Sequence, residues 1–462
     1  MATMSHLLLA SAVSLAAALP AAAQKQAPPP VGPPKDFRLP ARREFILPNG
    51  MAVTLIPFGA VPKAAVTLAV QAGRINERAD QVSLSEVTAD LMSEGTRTRS
   101  AAGLAAEVAG MGGTLDVDAR NEQTTIQGEV LSEHAPGMVR LVADVARNPL
   151  LPASELPRIK ADRLRDLSIQ KSQPQPVAQA KFRAIMYGNH PYGRVFPTER
   201  MLQGFGIRQV RDFHAANFGA RRAHLYVAGV FDAAATEAAI RQAFGTWKAR
   251  PAAQRSPPRP RTTRSLTLID RPGAVQSTIL LGLPVPDPVQ PDYLALEVTD
   301  ALLGGAFGSR ITTNIRERKG YSYGPFSSIT SFYRQSYWAE QADVTTSATG
   351  ASLKEIFAEI ERLRAEAPPG PELTGIEKNL AGIFTVQNSS RQGIIGRLQF
   401  VDVQGLPDSY LADYVKRVLD VTPEQVRTIA HDRLRPDQMT IVVVGDKKTI
   451  TEQTAPYGTA VP

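Results

Sequence analysis

The sequence predicts an α+β fold made of two duplicated lobes, and three observations carry that prediction. First, QVRDFHAANFGARRAHLYVAGVF, 209–231, and QVRTIAHDRLRPDQMTIVVVGDK, 425–447, superpose without a gap at an offset of 216. Second, LLPASELPRI and APPGPELTGI bring Glu155-Leu156 onto Glu372-Leu373 at an offset of 217. Third, a Pro- and Arg-rich stretch, 249–265, separates the two repeats and reads as a linker. Two echoes at nearly one offset imply a duplication, so each half should be one α+β unit.

Within the halves the elements follow from periodicity. Residues 51–57 and 64–73 are rich in β-branched side chains, partly alternate, and read as strands. Residues 83–93 place Leu84, Val87 and Leu91 at helical spacing. After the Gly112-Gly113 break, a strand region opens at Thr114 and runs through Glu129. Leu353, Ile356, Phe357, Ile360 and Leu363 form a helical stripe. The segments 218–229 and 434–445 each end in a buried apolar strand, and all these stripes are core.

Composition narrows the chemistry. The 462 residues are 43% hydrophobic and 21% charged, an ordinary globular balance with room for two or three cores. With no cysteine, disulfides, thiolate ligands and a cysteine nucleophile are excluded. The six histidines, His6, His134, His190, His214, His224 and His431, are nowhere closer than ten residues, so no pair shares one helix turn. The net charge of +8 suggests an anionic partner until it is located. Residues 24–43 carry +4 and residues 249–265 carry +5, so the remaining body is close to neutral. Nucleic acid is therefore not expected as a partner, and the charges are expected on solvated linkers.

At the start, an apolar run over 7–23 ends in Ala21-Ala22-Ala23 and resembles a secretory signal with a small-residue cleavage site. Its n-region, MATMSH, lacks lysine and arginine. The expectation is a signal peptide over 1–23, a Pro-rich spacer over 24–39, and export to the periplasm of a Gram-negative bacterium. No later stretch approaches the roughly 18 apolar residues of a membrane span. The N-terminal lobe is placed at 40–248, the linker at 249–265, the C-terminal lobe at 266–450 and a tail at 451–462.

Four phrases then carry a family resemblance: LPNGMAVTLI, EGTRTRSAAGLA, YGNHPYGR and GGAFGSRITTNIRERKGYSYGPFSS, the last at 304–328. In this order they resemble the pitrilysin/insulinase family of zinc metallopeptidases, over nearly all of residues 40–450. The resemblance implies a mainly antiparallel sheet covered by helices in each lobe, a clamshell like that of the mitochondrial processing peptidase. Active members carry His-x-x-Glu-His before the phrase matching Glu94-Gly95-Thr96. There two imidazoles one turn apart hold zinc, and the glutamate is general base for a water. Here those positions are Glu86, Val87, Thr88, Ala89 and Asp90. No glutamate stands between Glu155 and Glu199 to act as the family's third ligand, although Asp166 lies near that position. Three carboxylates suit a hard cation better than zinc, yet nothing supplies its remaining ligands. Glu86 and Asp90 are therefore vestigial metal positions; no metal or other cofactor is expected on this chain, which alone should not hydrolyse peptides.

The other half of the family's machinery is retained. An arginine and a tyrosine seven residues apart reach the metal-bound substrate from the C-terminal lobe, and the matching residues are Arg316 and Tyr323. A phenol O–H can stabilise the charge that develops on a tetrahedral intermediate, and a guanidinium can fork onto a carbonyl. Out of this context, an arginine in Arg-Glu-Arg-Lys is a solvated helix end and a strand tyrosine is core; Tyr321 competes for the same role. Gly304, Gly305, Gly308 and His190-Pro191-Tyr192-Gly193 read as turns and hinges. The resemblance thus implies the non-catalytic subunit of a heterodimeric bacterial zinc endopeptidase. Its partner would be a homologous chain bearing His-x-x-Glu-His and zinc, and its substrates unfolded peptides. A structural subunit like the respiratory core proteins, a stand-alone periplasmic peptide-binding protein and a homodimer with another metal site are the alternatives.

Overall fold

The computed structural model describes residues 37–460. The expected signal peptide and nearly all of the spacer lie outside the described residues. Strands β1 (Arg43–Ile46), β2 (Ala52–Pro57), β3 (Lys63–Val70), β4 (Thr114–Ala119), β5 (Thr124–Leu131) and β6 (Ala223–Gly229) form one sheet, ordered β1-β2-β6-β3-β5-β4. Strands β7 (Ser265–Asp270), β8 (Gln276–Val285), β9 (Phe326–Phe332), β10 (Gln335–Thr345) and β11 (Thr440–Gly445) form the second, ordered β7-β11-β8-β10-β9. Without β1 the two orders are the same, strand for strand. Each sheet has one parallel pair, β2 with β6 and β7 with β11, and is otherwise antiparallel. This is the duplicated α+β architecture the echoes predict.

Among the helices that brace the sheets are α1 (Leu84–Met92), α2 (Leu156–Ser172), α3 (Pro174–Tyr187), α4 (Tyr293–Asp300) and α5 (Arg391–Gln404). One face of the first sheet packs against α1 and the helix Ala135–Arg147, through Val66, Leu68, Leu225 and Val227 on the strands and Leu84, Val87, Met138 and Val142 above them. One face of the second packs against α4 and the helix Thr349–Ala365, through Ile279, Leu281, Ile441 and Val443 against Leu296, Leu353, Ile356 and Ile360. The alternation of strand side chains sends Leu280, Val442 and Val444 to the opposite face, as period-two geometry requires.

That opposite face is covered from the other half of the chain. Phe182, Met186 and Tyr187 of α3 fill the cluster with Leu280, Tyr337, Val442 and Val444, and Gln179 donates to the Tyr337 hydroxyl at 2.7 Å. Reciprocally, Ile394, Ile395 and Leu398 of α5 join the cluster that holds Ala65, Ala69, Tyr226 and Ala228 of the first sheet. Arg391 forks onto Glu129 at 3.0 and 3.1 Å. His224 sits between Thr54, 2.8 Å from Nε2, and the Asp402 carboxylate of α5, 2.9 Å from Nδ1, with the Tyr226 ring stacked on it at 4.0 Å. The halves of the sequence are therefore cross-braced, each lending one helix to the other's sheet.

The basic stretch 249–265 is irregular and mainly exposed, as a solvated linker would be, but three of its arginines are held by the folded body. Arg255 lies 4.1 Å from the Tyr333 ring centroid, and the Arg250 side chain covers Gly219. Arg264 donates to the carbonyls of Tyr457 and Pro436 at 3.1 and 3.2 Å. Guanidiniums tolerate this because their faces stack on rings while their edges find acceptors. The helix Lys447–Thr454 runs across the expected lobe boundary, and Gln453 ties it to Gly350 and Thr346. Among the described residues no helix is long and apolar enough to cross a membrane.

Candidate functional site

The first site is the helix at the position where active members of the resembled family bear the metal motif. Ser83, at φ 75°, begins α1, and the Glu77 carboxylate, itself buried, caps the start of the helix. It accepts from Ser83 N at 3.0 Å, Ser85 N at 2.8 Å and Ser85 Oγ at 2.6 Å, satisfying N–H groups that a helix start leaves unpaired. Burial nonetheless pushes the Glu77 carboxyl up to about 7.

Glu86 and Asp90 lie one turn apart on one face of α1, and arginines occupy both. Arg74 reaches Glu86 Oε1 from Nε at 3.0 Å. Arg163, from α2, forks onto Asp90 at 2.6 Å for each arm and stands 3.9 Å from Glu86 Oε2. Asp166 lines the same small cavity with Arg74, Glu86 and Arg163. Ala89, at the position of the general base, is a buried methyl. Among the described residues no group of three or more histidine, cysteine, aspartate or glutamate side chains is gathered as ligands. The donor set does not fit zinc: its carboxylates are spent on two guanidiniums, and a dication would meet two positive charges. Replacing Glu86→His, Ala89→Glu and Asp90→His together is expected to leave zinc well below stoichiometric in equilibrium dialysis. Further replacing Arg74→Ala and Arg163→Ala should raise it; stoichiometric zinc in the triple variant would contradict closure by the arginines.

The C-terminal lobe repeats this helix. Glu86-Val87-Thr88 recurs as Glu297-Val298-Thr299 at an offset of 211, on α4. The two threonines do the same thing, Thr88 Oγ1 donating to Leu84 O and Thr299 Oγ1 to Ala295 O, each at 2.7 Å. This signal was present in the sequence, but its offset differs from the other echoes. Beyond α4 the helix widens into a π-turn segment, Ala301–Gly305. Asp300 accepts from Ser327 Oγ at 2.5 Å and Trp338 Nε1 at 2.7 Å. Burial holds Asp300 up at about 6 and raises the buried Glu340 well above the carboxylate range, with Asp300 adding to the latter. Gly304 is closely packed in this segment: a Cβ there would stand 2.5 Å from Ser327 Oγ and 2.6 Å from Glu340 Oε2.

Arg316 lies in the widened helical segment Thr312–Arg318, and Tyr323 in the bend three residues before β9. The structure brings them together: the Arg316 guanidinium carbon is 5.2 Å from the Tyr323 ring centroid. Arg316 lies near the end of its helical segment, and Tyr323, in the bend before the strand, is 88% exposed and not the core residue that a strand tyrosine is out of the family context. Tyr321 is half-buried. Phe307, which the motif phrase contained without being singled out, also lies against the guanidinium at 4.5 Å. The ion pair of Arg316 is with Glu317, from Nε at 3.2 Å. A half-buried guanidinium beside an exposed phenol can hold a carbonyl and donate to an oxyanion; by itself it can activate no water.

Known proteins agree with both halves. Residues 59–197 match "Insulinase (Peptidase family M16)", and residues 205–380 match "Peptidase M16 inactive domain". A protein of Mycobacterium leprae described as an uncharacterised zinc protease is 28% identical over 428 residues, 88% of this chain and 93% of that protein. Another, from Streptomyces coelicolor, is 23% identical and covers 88% of this chain and 90% of its own. A solved peptidase M16 inactive domain from Pseudomonas fluorescens superposes with a TM-score of 0.80 at 25% identity, over 87% of this chain and 98% of that one. A Helicobacter pylori protease shares the fold, with a TM-score of 0.81 at 19% identity, over 88% of this chain and all of its own. With both family domains matched in order along two duplicated lobes, this chain belongs to the insulinase family, peptidase family M16.

Proposed function

We propose that this chain is the non-catalytic subunit of a heterodimeric zinc endopeptidase, exported to the periplasm, that supplies Arg316 and Tyr323 to a partner's active site. The observation that carries this reading is a contrast between the two sites. The metal position is closed by Arg74 and Arg163, whereas Arg316 and Tyr323 stand beside each other with the phenol in solvent. A chain with one half of a mechanism needs a partner with the other half, a homologous His-x-x-Glu-His subunit that holds the metal. Its substrates are unfolded peptides. Arg316 forks onto a backbone carbonyl and fixes register; the Tyr323 hydroxyl donates to the oxygen on which charge develops. Strand addition to a sheet edge orders the rest of the peptide.

The test mixes this chain with the partner and follows hydrolysis of a fluorogenic peptide. Neither chain alone should match the mixture. Arg316→Ala is expected to raise KM by about 10- to 100-fold, the worth of a hydrogen bond to a charged donor. A partner that is fully active alone, with Arg316→Ala changing nothing, would leave a purely structural subunit as the correct reading.

A further inference from the structure

Two aromatic rings, Phe307 and Tyr323, lie against the Arg316 guanidinium, a third, Phe326, follows three residues after Tyr323, and the fold holds all three in water. Phe307 is 76% exposed, Tyr323 88% and Phe326 53%. Phe307 is not out because its segment is loose. Ala306 N donates to Ala301 O at 3.0 Å, Ser309 N to Ala306 O at 3.0 Å, and Thr313 N to Ser309 O at 2.9 Å. Arg310 then forks onto Glu372 at 2.8 Å for each arm, and Ser309 Oγ pairs with Thr312 at 2.9 Å. The turn is anchored on both sides and presents the Phe307 ring at its tip. Exposed apolar side chains grouped in this way mark a surface that something covers.

The occupant is set by what adjoins the rings. Strand β9 starts at Phe326 and, among the described residues, is the terminal strand of its sheet, paired with β10 alone. An extended chain added beside it runs past Phe326, and the Arg316 edge offers donors for a carbonyl. An extended peptide satisfies both features, and its side chains alternate so that one of them faces the rings. We infer that Phe307, with Tyr323 and Phe326, forms a specificity-determining wall beside this strand edge and takes an aromatic or branched apolar side chain of the peptide. The inference rests on the proposed subunit role and adds the substrate class that role leaves open.

The experiment uses the assembled complex and polar fluorogenic peptides in which one phenylalanine is moved a position at a time. The parent complex should prefer phenylalanine at one position. Phe307→Ala should lower that preference, as a ratio of kcat/KM against serine, by about tenfold or more, and Phe307→Tyr should restore it. An unchanged ratio in Phe307→Ala, with Arg316→Ala still raising KM, would overturn the wall and leave the subunit role standing. If Arg316→Ala is silent as well, the subunit role itself fails. Because Phe307 is exposed, an unchanged melting curve for Phe307→Ala separates either result from misfolding.

Discussion

Tyr323→Phe in the assembled complex is expected to lower kcat by about 10²–10³-fold while KM moves little. The phenol lies beside Arg316 at 88% exposure, so removing its oxygen takes away no packing and leaves no buried partner unpaired. A donor that meets charge only as the tetrahedral species forms contributes to the chemical step and not to ground-state binding. Arg316 should behave differently, because a fork onto a carbonyl is made equally in the bound substrate. Steady-state kinetics on the two variants would then split, kcat for Tyr323 and KM for Arg316. If Tyr323→Phe raises only KM, the phenol is a binding group and the oxyanion is stabilised from the partner. Thermal melting is expected to be unchanged for this variant.

The pattern of the sequence carried the fold far, for a physical reason. Strands β2, β3, β6 and β11 are runs whose alternate faces are both buried, and α1 keeps Leu84, Val87 and Leu91 on one stripe. Such patterns are local, so they survive reading without coordinates. The first echo ends on corresponding strands, β6 and β11, of two sheets that share one strand order once β1 is set aside, and the second falls at the starts of two helices, Leu156–Ser172 and Gly370–Gln387. What a stripe does not state is which sheet it meets. Helices α3 and α5 each have an apolar side, yet each turns it to the sheet of the other half. The substitution of Glu86 and Asp90 for histidines was plain in the chain. That Arg74 and Arg163, 12 and 73 residues away from those carboxylates, close the site was not, because ion pairs between separate helices leave no periodic trace. Phe307 was hidden for a related reason: its glycine neighbours suggested a turn, and only the anchored geometry shows the ring beside a guanidinium.

Phe182→Ala is expected to cost about 3–5 kcal/mol of stability, the range for removing a fully buried phenylalanine. The residue belongs to the first half of the sequence, but its ring is completely buried against the second sheet, 5.5 Å from Tyr337 and within the cluster of Leu280, Val442 and Val444. The loss should therefore appear where sequence position would not put it. In native-state hydrogen exchange, amides of β8 and β11 are expected to lose protection more than those of β3 and β6. Leu398→Ala on α5 should show the converse, loosening β3 and β6 first. If Phe182→Ala instead loosens only residues 43–229, α3 stabilises its own half and the cross-brace is not energetically shared. The same exchange bears on motion. Opening one lobe of this chain away from the other would expose the α3 and α5 faces together and break the Arg391 fork on Glu129. That cost falls on apolar burial and a charge pair at once. On the proposed heterodimer, the peptide chamber is therefore expected to open between the subunits and not inside this chain.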